Sequence, residues 1–145
     1  MSALHAVLLP VGDDLYALGV DWVREVVLAP PLTPLVTAPP LVLGLFNLRG
    51  QIVPLLDTAA LLGLGAIGTV GFVLVLQSRD GLVGLAATGL PERTLLGEPA
   101  GPSELPGTTG TYQLRSRVAV LLDPEVLLGS DGLRGADHLQ PGGVS

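Results

Sequence analysis

The chain repeats part of its own sequence at an offset of 66 residues. Several of the matching positions hold residues typical of turns and helix caps, and these pairs are Asp14 and Asp80, Arg49 and Arg115, and Asp57 and Asp123. Matches between leucines arise by chance in a leucine-rich chain, whereas turn and cap residues that share one offset indicate a duplicated unit. We therefore predict two similar β units of about five strands each, most simply two small barrels packed together as one domain.

The stretch around Arg49 predicts the local design of this unit. Gly50 can adopt the positive φ that a tight hairpin turn requires. Residues 51–56 form an apolar run that suits a strand, and Asp57 can cap a short helix by accepting a backbone N–H bond. Asp123 predicts the same cap in the second copy. An arginine at the tip of an apolar hairpin then faces water or a partner.

Composition favours a mostly β protein with an aliphatic core. The 145 residues include 20 glycines and 13 prolines, which indicate many turns, while 48% of the residues are hydrophobic and 3% are aromatic. A chain of this length buries about 70% of the surface that its unfolded form exposes, so its core needs no covalent staple. The absence of cysteine excludes disulfides, thiolate metal sites and a cysteine nucleophile.

Charge and hydropathy narrow the possible partners and the location. Thirteen acidic residues against seven arginines give a net charge of −6, which repels nucleic acid. Residues 58–78 carry no charge and are long enough to cross a bilayer, but their glycines and a β-rich end predict a helix, a loop and a strand. The N-terminus lacks a basic region followed by an apolar one, so we expect a cytoplasmic protein with no membrane insertion.

Apolar runs that flank turn residues predict the other strands. These strands lie at 6–11, 15–20, 26–28, 41–48, 72–77, 82–87, 90–96, 113–114 and 118–122. Asp21 and the residues up to Val26 predict one helical turn. Proline-rich residues 30–40 predict an extended surface crossing, residues 97–110 a loop, and residues 130–145 a flexible tail.

The titratable residues form no recognisable catalytic pattern. His5 and His138 lie near opposite ends of the sequence, which supports neither a metal cluster nor a histidine-based triad. Asp13 and Asp14 could be imagined as an acid–base couple, but acids are favoured in such turns without catalysis. We predict a protein that is not an enzyme and that holds no metal or cofactor.

A long ordered pattern occupies the first half of the chain. It runs from Gly44 to Asp57 as Gly-x-x-Asn-Leu-Arg-Gly-x-x-x-Pro-x-x-Asp, with Val23-Arg24-Glu25-Val26 before it. This pattern resembles the CheW-like domain of bacterial chemotaxis proteins. The resemblance covers residues 5–64 strongly and residues 70–129 in layout. The second half departs from it at residues 87–90, where family members often carry an aspartate.

The resemblance implies one CheW-like domain over residues 1–145, built from two intertwined SH3-like five-stranded barrels with short helices, in which chain exchange between the barrels is allowed. It also implies a non-catalytic adaptor that couples the cytoplasmic tips of methyl-accepting chemoreceptors to the histidine kinase CheA. One barrel would bind the regulatory domain of the kinase, and the groove between barrels would take the helical hairpin of the receptor. The family positions implicated in these contacts are occupied by Val23, Glu25, Thr33, Gly44 and Arg49.

Other interpretations stay open at this point. Arg49 could brace the hairpin by pairing with Glu25, and Gly44 and Gly50 could serve the backbone alone. An adaptor of a pilus-linked or other chemosensory array is equally compatible with the pattern. A small-ligand carrier that uses an apolar barrel cavity is the alternative from a different functional class.

Overall fold

The computed structural model describes residues 3–36 and 40–129. Within these ranges the chain forms ten strands and two short α-helices. In chain order they are β1 (Leu4–Val11), β2 (Asp14–Gly19), β3 (Val23–Leu28), β4 (Val42–Leu48), β5 (Gln51–Leu56), α1 (Thr58–Leu61), β6 (Phe72–Ser78), β7 (Gly81–Ala87), β8 (Glu92–Leu96), β9 (Thr108–Leu114), β10 (Arg117–Leu122) and α2 (Pro124–Leu128). The prediction of a mostly β protein with short helices is confirmed.

The strands form two five-stranded sheets that share the two halves of the chain. Sheet 1 has the order β8-β1-β2-β10-β9, and sheet 2 has the order β3-β6-β7-β5-β4. The two orders become the same when each strand is replaced by its counterpart in the other copy of the repeat. Each sheet therefore combines the first hairpin of one half with three strands of the other half. Within each sheet, two of the strands that join the halves of the chain are parallel, namely β2 with β10 in sheet 1 and β5 with β7 in sheet 2.

Each sheet is joined across its open side by a single bridge. After β3 the chain crosses to the opposite edge of sheet 2, where Thr33 pairs with Leu45 of β4. Gly101 pairs with Thr111 of β9 in the equivalent place on sheet 1. In the part of the chain that the structure describes, the edge strands of a sheet do not pair directly with each other. The two predicted barrels are thus five-stranded sheets with one closing bridge, without a full ladder around them.

The hydrophobic residues form a central cluster between the sheets and a smaller cluster on the far face of each sheet. The central cluster takes side chains from both sheets, including Leu9, Leu18, Leu74 and Leu85. The cluster of sheet 2 contains Phe46, Leu48, Val53, Leu55, Val73, Val75 and Ala86. The cluster of sheet 1 contains Ala6, Leu15, Ala17, Leu96 and Ala119. Sheet 1 is therefore filled by smaller residues than sheet 2.

Burial on both faces explains the uninterrupted apolar sequence of β6. Val73 and Val75 face the cluster of sheet 2, whereas Leu74 and Leu76 face the central cluster. A strand covered on both sides has no solvent face and so shows no alternation of polar residues. Among the described residues there is no helix with the length and apolarity needed to span a bilayer.

The repeated turn and cap residues occupy equivalent places in the two copies. Arg49 has φ 50° and Gly50 has φ 91° in the turn between β4 and β5, as a two-residue hairpin of type I′ requires. Arg115 has φ 45° in the turn between β9 and β10. Asp57 caps α1, and Asp123 caps α2, each by accepting backbone N–H bonds of the first helical turn.

Two local predictions are wrong and one lies outside the described residues. A 3-10 turn occupies Val20–Trp22 and β3 begins at Val23, so the helical turn predicted up to Val26 is a strand instead. Antiparallel pairing with β6 stabilises this strand and overrides the local helix signal. The loop predicted at 97–110 ends earlier, because Thr108 already pairs with Leu122 of β10. The predicted tail at 130–145 is not described.

Candidate partner-binding site

Glu25 and Arg49 form an ion pair that joins the two edges of sheet 2. Glu25 lies on β3 at one edge, and Arg49 lies at the tip of the hairpin that carries β4, the other edge. The Arg49 guanidinium donates from Nη1 to Oε2 of Glu25 over 3.0 Å and from Nη2 to Oε1. Two parallel bonds of this kind fix both side chains. The hairpin tip is therefore held against the opposite edge of the sheet.

The ion pair also sets the charge states of its members. The hydrogen bond from Arg49 is the main cause that lowers the pKa of Glu25, and the same bond raises the pKa of Arg49. Both groups are consequently charged at neutral pH. The Arg49 side chain is 69% exposed and that of Glu25 is 27% exposed, so solvent screens the attraction and the pair adds little to stability. Such exposure leaves the guanidinium accessible to a partner molecule.

Thr33 and Gly44 meet where the chain crosses to β4. The Thr33 N–H donates to the Leu45 carbonyl over 2.8 Å, and the Leu45 N–H donates to the Thr33 carbonyl over 2.9 Å. A Cβ atom on Gly44 would lie 3.0 Å from the Thr33 carbonyl oxygen and 3.2 Å from Cβ of Leu32. Glycine permits this close approach of two backbone segments. Gly44 thus acts through the backbone and places Thr33.

An apolar groove of about 510 Å³ lies beside this bridge. Its lining residues are Pro30, Pro31, Thr33, Leu45, Phe46, Asn47 and Ile52. The side-chain oxygen of Asn47 accepts the Gly50 N–H over 2.9 Å, which ties the hairpin tip to the groove wall. Ile52 is 47% exposed although it is a large apolar residue. The groove therefore combines an apolar floor with Asn47, whose side chain holds the turn that contains Arg49 and Gly50.

The edge strand β3 of sheet 2 also exposes apolar residues. Arg24, Val26 and Leu28 alternate on its exposed face, and Leu28 is 73% exposed. Arg24 donates to the side chain of Gln77 on β6 over 2.8 Å. Exposed apolar residues and an unpaired strand edge both favour association with another chain. Their presence together on β3 therefore indicates a contact surface.

Val23 lies apart from the groove. It is half-buried and packs, together with Trp22, against the central cluster between the sheets. A register shift between Val23 and Glu25 turns their side chains toward different surroundings. Among the five site residues predicted from the sequence, the structure joins Glu25 to Arg49 and Thr33 to Gly44. It gives Val23 a packing position instead.

The second copy of the unit does not reproduce this ion pair. Pro91, which is buried, occupies the position equivalent to Glu25. Arg115, the counterpart of Arg49, forms no ion pair with any residue in the described ranges. The turn is held differently, because Nε2 of Gln113 donates to the carbonyls of Arg115 and Arg117 over 3.1 Å each. The two turns share a left-handed φ at the arginine, but the next residue has a positive φ only at Gly50 and not at Ser116, and the hydrogen bonds around the turns differ.

Sequence reasoning misses the groove residues Pro30, Pro31 and Ile52. The prolines predict an extended crossing, and nothing in the sequence shows that the crossing forms a groove wall. Ile52 carried a usable signal, because Val53 faces the core and adjacent residues of a strand point to opposite faces. An apolar residue on the outer face, two positions after a turn, indicates a contact residue.

The described residues contain no group of three or more histidine, cysteine, aspartate or glutamate side chains placed to hold a metal ion. His5 lies exposed on β1, and Asp13 and Asp14 lie at the turn that follows it. His138 lies outside the described residues. The groove itself offers apolar contacts and the polar groups of Thr33 and Asn47.

Comparisons with known proteins bear on this arrangement. The family model for the CheW-like domain matches residues 5–132. The chain belongs to the CheW-like domain family. Curated relatives include a chemotaxis protein CheW of Rhizobium meliloti (strain 1021), which is 40% identical over 77 residues. A probable chemotaxis protein CheW of Rhizobium etli is 34% identical over 77 residues. Each alignment covers 52% of this chain and 50% of the relative, so the chain matches about half the length of these CheW-like proteins.

A solved structure of the same family has the same fold. The crystal structure of the scaffolding protein TtCheW from Thermoanaerobacter tengcongensis superposes with a TM-score of 0.77. The superposition covers 91% of this chain and 92% of that one, at 20% sequence identity. The two-sheet arrangement is therefore that of a CheW-like domain throughout the compared length.

Proposed function

We propose that this protein is a non-catalytic adaptor that couples the cytoplasmic tips of chemoreceptors to a CheA-type histidine kinase in the cytoplasm. The observation that carries the proposal is that one hairpin, β4 to β5, supplies both the apolar groove of sheet 2 and Arg49, which Glu25 holds at the tip of that hairpin. Membership of the CheW-like family, and the chemotaxis names of the relatives, support the same role.

The physical character of the groove suits a protein partner. Protein interfaces combine an apolar centre with a polar rim, and arginine is enriched among the residues that dominate binding. Ile52 and Leu45 supply the apolar part, and Arg49 supplies a charged donor whose side chain already has a fixed position. A side chain held in place before binding loses less conformational freedom on association.

The structure disfavours the alternative of a carrier with a ligand inside a barrel. The hydrophobic cluster on the far face of each sheet consists of the protein's own side chains. Val53, Val73 and Leu96 are fully buried in these clusters. Association through the outer surface of sheet 2 is the function that this packing supports.

Binding to the regulatory domain of a CheA-type kinase from the same organism tests the proposal. We expect Arg49→Ala and Glu25→Ala each to weaken the complex about tenfold, as loss of a charge-assisted hydrogen bond at an interface does. Arg79→Ala is the matched control, because Arg79 is an exposed arginine in a hairpin turn whose partner is Glu125 on α2. Absence of binding at about 50 μM to any kinase domain or receptor tip of that organism, far weaker than a specific interface, would contradict the proposal.

A charge swap separates a direct contact of Arg49 from a bracing role. The double variant Glu25→Arg with Arg49→Glu keeps an ion pair across the sheet but inverts the charge at the tip. If Arg49 touches the partner, the double variant stays as weak as Arg49→Ala. Recovery of wild-type affinity would instead assign the pair a purely structural role.

A further inference from the structure

A second cleft, of about 550 Å³, lies on sheet 1 and shares no lining residue with the groove of sheet 2. The parallel register of β2 and β10 pairs Leu15 with Ala119, which places Asp13 beside Arg117. Nη2 of Arg117 donates to the backbone carbonyl of Asp13 over 3.1 Å. The cleft therefore forms where the turn between β1 and β2 meets the turn between β9 and β10.

Both signs of charge line this cleft, together with apolar side chains. The carboxylates come from Asp13 and Asp14, and the guanidinium comes from Arg117. Arg117 uses one of its N–H groups for the Asp13 carbonyl, so the other donors remain for a ligand. Leu105 and Val118 supply apolar wall. Polar groups of both signs beside apolar side chains can fix the orientation of a small ligand.

Tyr16 adds a phenol group to the lining of the cleft. The residue as a whole is 3% exposed, and its ring packs in the central cluster. Its hydroxyl is open to solvent at the cleft, because every fully buried side-chain oxygen or nitrogen in the described ranges has a hydrogen-bond partner. Burial, and secondarily the charge of Asp14, raise the pKa of Tyr16, so the hydroxyl keeps its proton at neutral pH. A phenol hydroxyl at the wall of a cleft can donate a hydrogen bond to a ligand that enters the cleft.

We propose that this cleft binds a small apolar α-amino acid in its zwitterionic form. The ammonium group pairs with the carboxylates of Asp13 and Asp14, and the carboxylate pairs with Arg117. The Tyr16 hydroxyl donates to the same carboxylate, and the apolar side chain lies on Val118. A zwitterion can pair with both signs of charge at once, whereas a simple amine leaves Arg117 without a ligand partner and a simple carboxylate leaves the two acids without one.

Titration of the ¹⁵N-labelled protein with L-leucine tests this assignment. We expect saturable amide shifts at residues 13–16 and 116–118, with a dissociation constant on the order of 1 mM, as an open cleft gives a ligand of this size. Asp14→Asn and Arg117→Gln should each weaken binding about tenfold. Tyr16→Phe keeps the ring in the core and should weaken it by a smaller factor. The matched control is Asp80→Asn, since Asp80 is the counterpart of Asp14 in the turn between β6 and β7.

Two analogues of leucine sharpen the test. 3-Methylbutylamine lacks the carboxylate and 4-methylpentanoate lacks the ammonium group, and we expect both to bind at least about tenfold more weakly than leucine. Equal binding of either analogue, shifts centred on Ile52, or no shifts up to about 50 mM leucine, far above that constant, would overturn the proposal. The assignment does not depend on the adaptor role, because kinase binding is measured at the other sheet.

Discussion

Arg49 and Arg115 lie 66 residues apart in equivalent hairpin turns, and each adopts a left-handed φ, of 50° and 45°. No other non-glycine residue in the described ranges does so. In this region the Cβ atom of an L-residue lies too close to the following carbonyl oxygen. The Arg49 guanidinium pairs with the Glu25 carboxylate. Arg115 has the same unfavourable backbone conformation but no ion pair with any residue in the described ranges.

Arg115→Gly should stabilise the protein by about 1 kcal/mol, because glycine adopts a positive φ without the steric cost that arginine bears there. The measurement is the free energy of unfolding from urea denaturation. Arg79→Gly is the control, since Arg79 occupies the turn between β6 and β7 without a positive φ. That substitution should leave stability unchanged or lower it. Equal effects of the two would contradict the strain at Arg115.

Asp57→Ala should cost about 2–3 kcal/mol of stability, more than Asp123→Ala at about 1 kcal/mol. Asp57 is 3% exposed and accepts bonds from the N–H groups of Ala60 and Ile67, at 2.9 Å and 3.0 Å. Removing it leaves two donors without a partner and frees the loop after α1. Asp123 accepts N–H bonds only within the first turn of α2. Urea denaturation compares the two variants, and a larger loss for Asp123→Ala would refute this ranking.

Gly44→Ala should open the bridge between Thr33 and Leu45. The added Cβ would lie 3.0 Å from the Thr33 carbonyl oxygen, so the crossing segment must move outward. We expect faster hydrogen exchange at the amides of Thr33 and Leu45, and weaker binding of a kinase domain at the groove. Gly68→Ala is the control, because nothing lies within 4 Å of a Cβ there and its φ is not positive. Unchanged exchange at Thr33 would show that the contact relaxes without opening.

The ion pair should weaken at acid pH. Because the folded pKa of Glu25 is lower than its ordinary value of 4.5, the pair stabilises the fold fully above about pH 4.5 and loses this contribution as the pH falls through the folded pKa. Titration of the Glu25 carboxyl carbon by NMR measures the midpoint. Arg49→Gln should move that midpoint back up toward 4.5. A midpoint that does not respond to this substitution would exclude Arg49 as the cause.

Much of the fold follows from local signals in the sequence. The turn at Gly50 and the caps at Asp57 and Asp123 each have a short-range cause that a sequence displays. The offset of the repeat predicts two five-stranded units. Strand order is different, because the parallel contact of β2 with β10 joins residues about a hundred positions apart, and no local pattern encodes it.

Less of the candidate site than of the fold could be predicted from the sequence. The charges of Glu25 and Arg49 are visible in the chain, and their pairing was one of two interpretations that the sequence left open. The placing of Val23 in the packing between the sheets depends on a register shift in β3, which is a tertiary effect. The groove exists because prolines of the crossing segment lie against β4, and this contact becomes visible only in three dimensions.

The exchange of hairpins between the halves has a consequence for synthesis of the chain. The bond between Asp13 and Arg117 spans 104 residues, so the first hairpin leaves the ribosome well before the strand that covers its edge. At about 5–20 residues per second, β2 waits roughly 5–20 s with an unpaired edge. Until then its apolar residues depend on chaperones or on transient contacts within the nascent chain. Neither half can complete a sheet of its own, so sheet 1 stays incomplete until β10 has been synthesised.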